Sequence, residues 1–127
     1  MIDSTPVTIT ITGRPFSKKN SRNIFHRGGK TYNLPSKAYA GFREEALWQL
    51  KRAPKFPGPV HIDYTFYIKG HMHQDADNAM ASIDDVLEDA GVIANDDLIV
   101  KWSGRKICGS REWKTVVQIA PCVVDSG

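Results

Sequence analysis

The chain has 127 residues, 41% of them hydrophobic and 24% charged, which excludes a disordered chain and favours one globular domain over residues 1–127. Its net charge of +3 hides an asymmetry, since residues 1–60 carry eleven Lys/Arg against three Asp/Glu and residues 61–127 carry six against eleven. No apolar run is long enough to span a membrane and the first residues do not resemble a signal peptide, so we expect a cytoplasmic protein without membrane contact.

A first strand is predicted at residues 7–12, where Val and Ile alternate with Thr. Residues 13–35 follow as a Gly-, Asn- and Ser-rich basic segment that we interpret as a long loop. The DNA-binding candidates in it are Arg14, Lys18, Lys19, Arg22, Arg27 and Lys30. With no acidic residue among them, these cations suit a polyanion such as the phosphate backbone of DNA, and a merely solvated loop is the alternative.

The next elements are a helix and a strand. Ser36 can cap a helix that ends before Pro54. Its apolar stripe consists of Tyr39, Phe42, Ala46 and Leu50. Residues 60–69 then alternate between apolar and polar side chains, which predicts a second strand leading into an acidic segment.

From about Asp77 the apolar spacing becomes helical, and Gly91 is a suitable C-terminal stop. The predicted buried stripe consists of Met80, Ile83, Val86, Leu87 and Ala90. Helical periodicity places Asp77 and Asp84 on one side, with Asn78 and Asp85 beside them. A helix therefore carries much of the acidic segment.

Residues 98–107 and 113–120 are predicted as two further strands, joined as a hairpin at residues 108–110. We expect the two cysteines to be small buried hydrophobes, and the three tryptophans to belong to the core or an interface rather than to base-stacking sites. The predicted order is β-α-β-α-β-β. It indicates a small α/β (α+β-like) domain with a mixed sheet of about four strands and two helices.

The strongest functional feature is the acidic segment 75–97, which contains eight carboxylates and no Lys or Arg in twenty-three residues. Clustered carboxylates repel one another unless a cation joins them, and three from two chain segments can converge on Mg²⁺. The candidates are Asp75 and Asp77 at a strand-to-helix junction and Asp96 at the start of the next strand, with Asn78 orienting a ligand. Helix capping is the competing explanation, but Asp96 and Asp97 lie beyond the helix.

The sequence contains two other candidate metal sites. Asp75-Ala76-Asp77 resembles the opening of an EF-hand, but Ala79, Met80 and Val86 occupy positions that need a ligand, Gly and Glu, so this motif is excluded. His71 and His73 could bind zinc with Asp75, although no further Cys or His cluster supports that site.

Several motif residues match a known family: Asp75, Asp77, Asn78, Asp85, Leu87, Ala90, Gly91, Asn95, Asp96 and Ile99. In this pattern the chain resembles RusA-type Holliday-junction resolvases, small homodimeric Mg²⁺-dependent endonucleases. The basic opening after the first strand, 14–22, matches more loosely. The resemblance implies that Asp75, Asp77 and Asp96 bind the catalytic Mg²⁺, for which Mn²⁺ could substitute. It also implies supporting roles for Asp85 and Lys106 and four-way DNA junctions as partner.

The chain departs from the family at Ala81, where a functionally important Lys is usual, so that another cation such as Lys69 or Lys106 must replace it or activity is weak. A one-residue shift in the loop would make Asp97 the third ligand instead of Asp96. Two further functions therefore stay open: a non-catalytic protein that binds branched DNA and derives from a nuclease, and a metal-binding protein that uses His and Asp ligands.

Overall fold

A computed structural model describes residues 6–16, 22–27, 30–35, 37–70 and 76–122, with the side chains of 22–35 and 76–78 left out of the description. Its strands are β1 (Val7–Thr12), β2 (Arg22–Arg27), β3 (Lys30–Pro35), β4 (Val60–Lys69), β5 (Ile99–Ser110) and β6 (Lys114–Pro121). Its helices are α1 (Lys37–Gln49), α2 (Ala76–Asp89) and a short 3₁₀ helix at Asp96–Leu98. The predicted mixed four-stranded sheet with two helices is confirmed.

The main sheet has the order β1-β6-β4-β5, in which β4 runs parallel to β5 and antiparallel to β6. Alternate side chains of β4 are buried, as the pattern predicted: Val60, Ile62, Tyr64, Phe66 and Ile68. Because side chains in a strand alternate between faces, these five point to the face that the helices cover, and the intervening residues point to the open face.

Both helices bury most of the apolar stripes predicted for them, although Met80 and Ala90 of α2 are only partly buried. Tyr39, Phe42 and Ala46 of α1 are buried, and so are Ile83, Val86 and Leu87 of α2. They join the β4 residues in one hydrophobic core. No helix in the described ranges is both long and apolar enough to cross a membrane.

Helix α2 ends in a Schellman motif at Gly91, whose φ is +78°, a value that favours glycine. The amide of Val92 donates to the Leu87 carbonyl at 2.9 Å, and the amide of Gly91 donates to the Glu88 carbonyl at 3.0 Å. The chain then passes Val92 and Ile93, both buried, and reaches the 3₁₀ helix. This turn fixes where the last carboxylates of the acidic segment lie.

Within the basic segment, the prediction of a continuous loop is wrong, because β2 and β3 pair as an antiparallel two-stranded sheet in which Arg22 lies opposite Pro35 and Arg27 opposite Lys30. The sequence did contain a signal for it, since Gly28-Gly29 separates two runs that include Ile, Phe, Thr and Tyr.

The prediction that β5 and β6 form a hairpin is also wrong, because β4 lies between them. β5 is consequently one of the two edge strands of the main sheet. Cys108 is exposed there instead of buried, and Trp102 is exposed and therefore outside the core. Trp48 on α1 is exposed as well, whereas Trp113 packs partly against the core.

Candidate active site

A cleft of about 430 Å³ opens where α2, the 3₁₀ helix and β5 meet. It is lined by Tyr64, Met80, Ala81, Asp84, Asp96, Asp97, Ile99 and Trp102, and we call it the acidic cleft. Three carboxylates from two chain segments face this space, with no cation among the lining residues. Such a set of hard oxygen donors is suited to a divalent cation.

Asp84 is the most perturbed carboxylate in the cleft. Burial raises its pKa to about 6, and the negative charges of Asp96, Asp85 and Glu88 add to the increase. The Tyr64 hydroxyl, projecting from the buried face of β4, donates a hydrogen bond to Asp84 Oδ1 and acts in the opposite direction. Burial, followed by the neighbouring Asp84 charge, in turn raises the pKa of Tyr64. β4 thus fixes one oxygen of the buried Asp84 carboxylate through Tyr64. A bound cation would reduce the repulsion between Asp84 and the neighbouring carboxylates.

Asp96 and Asp97 are positioned by their own helix cap. The Asn95 side-chain oxygen accepts a hydrogen bond from the Asp97 amide at 2.9 Å, which starts the 3₁₀ helix. Both aspartates are exposed and line the cleft. Of the two, Asp96 is the one whose charge raises the pKa of Asp84, so its carboxylate is electrostatically coupled to that of Asp84.

The other predicted site residues lie in several places. Asp75 falls outside the described residues, and for Asp77 and Asn78 only the backbone, in the first turn of α2, is described. Asp77 precedes Ala81 by four residues and Asp84 by seven, so their backbone positions share one side of the helix. Within the described part of the chain, no three His, Cys, Asp or Glu side chains are close enough to hold a metal ion. The predicted ligand set therefore stays a prediction.

Asp85 does not line the cleft. Its charge contributes to the raised pKa of Tyr39 on α1, after the larger effect of burial, which places Asp85 on the side of α2 that approaches α1. Lys106 lies exposed on β5. Sequence reasoning placed Asp84 beside Asp77 but gave it no role, although Tyr64 within an otherwise apolar strand face could have indicated a buried polar contact.

The basic segment starts next to the cleft. Ser82 of α2 is fully buried, and its hydroxyl donates to the Phe16 carbonyl at 2.8 Å. Phe16 therefore adjoins the helix turn that contains Ala81. The Arg14 guanidinium lies 4.9 Å from the centre of the Trp113 ring and 5.3 Å from that of Phe16, so this candidate cation is held by two aromatic rings. Lys18 and Lys19 lie outside the described residues, and the side chains of Arg22, Arg27 and Lys30 are not described.

One prediction concerns the charge of Asp84. Because its folded-state pKa of about 6 exceeds the ordinary value of 3.8, the native state holds the proton more tightly. Its contribution to stability is therefore complete below the ordinary pKa and is lost as the pH rises through about 6. We expect Asp84→Asn, which keeps an oxygen acceptor for Tyr64, to increase the free energy of unfolding at pH 7.5 by about 2 kcal/mol in EDTA. At pH 4 the increase in the free energy of unfolding should be close to zero, because Asp84 is then protonated in the native state.

Denaturant unfolding at both pH values measures this difference. Glu44→Gln, which removes a carboxylate from the exposed surface of α1, is the matched control and should change stability little at either pH. An Asp84→Asn protein that is less stable than wild type at pH 7.5 would contradict the prediction.

An α/β domain that places a carboxylate cleft beside a basic segment and a basic edge strand has the features of a protein that processes nucleic acid. Residues 12–120 match the family described as endodeoxyribonuclease RusA. The chain is also 30% identical over 108 residues to a crossover junction endodeoxyribonuclease RusA of Aquifex aeolicus (strain VF5), covering 81% of this chain and 82% of the relative. The chain belongs to the RusA family of endodeoxyribonucleases.

Proposed function

We propose that this protein is a Mg²⁺-dependent endonuclease that cleaves four-way DNA junctions in recombination and repair. The observation that carries the proposal is the acidic cleft, in which Asp84 and Asp96 come together from two chain segments of a RusA-family protein. The A. aeolicus relative is named for action at crossover junctions, which supports the same substrate class here.

The carboxylates of the cleft fit a divalent cation, because they are oxygen donors. Burial raises the pKa of Asp84, and the negative charge of Asp96 in the same cleft raises it further. We propose Asp96 as a ligand together with Asp75 and Asp77, and we add Asp84, which sequence reasoning did not assign. The chemistry that a bound Mg²⁺, or Mn²⁺ in its place, supplies at such a site is polarisation of the scissile phosphate and activation of a water molecule.

The protein groups have separate tasks in this proposal. The hydrogen bond from Tyr64 orients the Asp84 carboxylate. Met80 and Ile99, both partly buried, contribute apolar surface to the wall of the cleft. The contact of Ser82 with Phe16 holds the start of the basic segment near the cleft. In this proposal Lys18, Lys19 and Arg22 bind phosphates and make no sequence-specific contacts with bases.

The decisive experiment is incubation of the purified protein with a labelled four-way junction and with a duplex of the same arm sequence, each with Mg²⁺ and with EDTA. We expect paired cuts near the crossover in Mg²⁺ alone. Junction binding without cleavage in Mg²⁺ and in Mn²⁺ would instead favour the non-catalytic junction-binding protein. Binding of zinc in preference to either ion, without DNA binding, would favour a site at His71 and His73.

A homodimer is the assembly that we propose for this reaction, because two symmetry-related strands of the junction must be cut. Light scattering of the free protein gives its mass directly, and a monomeric mass with and without junction DNA would contradict the proposal. We also propose a cytoplasmic location, because the protein would encounter four-way DNA junctions there.

A further inference from the structure

Trp102 lies on the edge strand β5 and lines the acidic cleft together with Asp84 and Asp96. Its side chain is 60% exposed. It projects to the helix-covered face of the sheet, because it lies opposite Ile62 in the parallel pairing of β4 and β5. Exposing a large aromatic ring to water forgoes the free energy of its burial, so a ring in this position is a candidate for contact with a ligand.

The strand that carries Trp102 is basic. Lys101, Arg105 and Lys106 are exposed on β5, and the strand contains no acidic residue from end to end. Arg105 has an ion pair with Asp63 at 3.5 Å on the open face of the sheet. Lys101 lies opposite His61 and so points to that open face too, whereas Lys106 lies opposite Phe66 and shares the helix-covered face with Trp102. Lysines on an edge strand also disfavour pairing with the strand of another protein. The charge of β5 therefore fits a polyanion.

Trp48 is a second exposed tryptophan with which Trp102 can be compared. It is 71% exposed, but it lies on α1 in a shallow groove whose lining includes Glu44, Glu45 and Asp89. Lys51 Nζ lies 5.1 Å from the centre of its ring, and Arg43, which also lines the groove, has an ion pair with Asp89 at 2.9 Å. The Trp48 groove shares no lining residue with the acidic cleft, so Trp48 is an exposed ring outside the surface proposed for the DNA strand.

We propose that Trp102 stacks on a nucleobase that is unpaired next to the phosphodiester to be cut, while Lys106 contacts a flanking phosphate. This inference rests on the proposed function, because it places the DNA strand in the acidic cleft. Stacking of a base on an aromatic ring tolerates any sequence but requires a base that has left its duplex neighbours. Trp102 is thereby a positioning and selectivity residue that favours branch points, where bases open easily, over intact duplex.

The test compares binding to a four-way junction and to its matching duplex in EDTA, where no cleavage interferes. We expect Trp102→Ala to weaken junction binding by about tenfold, within the range of base stacking on an aromatic residue, and to change duplex binding less than about twofold. Trp102→Phe should restore most of the junction affinity. Trp48→Ala is the matched control and should leave both affinities unchanged.

Tryptophan fluorescence adds an independent readout. Junction DNA should quench the emission of wild type and of Trp48→Phe, and this quenching should be largely lost in Trp102→Phe, which still binds. If wild type shows no preference for the junction over duplex, the proposed function itself fails. If wild type prefers and cleaves the junction but Trp102→Ala does the same with unchanged affinity, only the inference about Trp102 is overturned.

The solution mass of each variant tests whether Trp102 lies in an interface between copies of this chain instead of contacting DNA. A Trp102→Ala protein whose mass is lower than that of wild type, with junction and duplex binding reduced alike, would show that the ring belongs to an interface between copies of this chain, and would overturn the inference.

Discussion

Asp96→Asn is expected to reduce Mg²⁺-supported junction cleavage by at least about a hundredfold, while junction binding in EDTA stays intact or tightens. Asp96 contributes a carboxylate to the acidic cleft, and its charge already acts on Asp84. Asparagine keeps the size and one oxygen but lacks the negative charge needed to hold the cation. Removal of that charge cannot weaken the attraction of the protein for phosphate, apart from the contribution of a lost metal ion.

Gel-shift and cleavage assays on the same preparations measure both effects, and calorimetry with Mn²⁺ reports cation binding independently of activity. Glu44→Gln, which removes an exposed carboxylate from α1 outside the cleft, is the control and should retain cleavage. Asp77→Asn should behave as Asp96→Asn does. Cleavage retained by Asp96→Asn but lost by Asp97→Asn would assign the third ligand to Asp97, and full cleavage by Asp77→Asn would exclude it as a ligand.

Ala81→Lys is expected to raise cleavage by about tenfold without loss of stability. The structure answers the question on which this substitution depends, because Ala81 is exposed and lines the cleft with Asp84, Asp96 and Asp97. A lysine there stays hydrated, lies among carboxylates and can reach a phosphate oxygen, where it stabilises developing negative charge. Lysine is also a good helix former, so α2 should tolerate it.

Thermal melts and junction cleavage, run in parallel on wild type, Ala81→Lys and the uncharged control Ala81→Gln, measure this effect. In EDTA the lysine variant should melt at a higher temperature than the glutamine variant, because its ammonium group reduces repulsion among the carboxylates. Mg²⁺ should reduce this difference in melting temperature, because the bound cation also reduces repulsion among the carboxylates. A folded Ala81→Lys protein with strongly reduced cleavage would mean that the ammonium group competes with the cation.

Local signals predicted most of the secondary structure. The alternation in residues 60–69 gave β4 its buried face, the helical spacing after Asp77 gave α2 its stripe, and Gly91 ended that helix at the expected point. These features depend on side-chain periodicity and backbone conformation within a few residues, so a single sequence contains them. The resemblance of the motif residues to the RusA family is confirmed by the family match over residues 12–120.

The site was predictable only in part. Periodicity placed Asp84 on the side of Asp77, but the sequence gave no reason to pair it with Tyr64, twenty residues earlier on a strand. Helix period determines which residues share a face, whereas the packing of α2 on the sheet determines which of them becomes buried and which strand residue it meets. The raised pKa of Asp84 depends on that packing and could not be read from the motif.

The sequence by itself determined the elements, the buried stripes and the acidic segment, because each depends on short-range spacing. Only the tertiary structure decided that β5 pairs with β4 at the sheet edge and not with β6. Strand partners depend on long-range packing of the whole core, and a turn sequence between neighbouring strands has less influence on them. That choice exposed Trp102 beside Asp84 and Asp96, and it turned a tryptophan expected in the core or at an interface into part of the cleft wall.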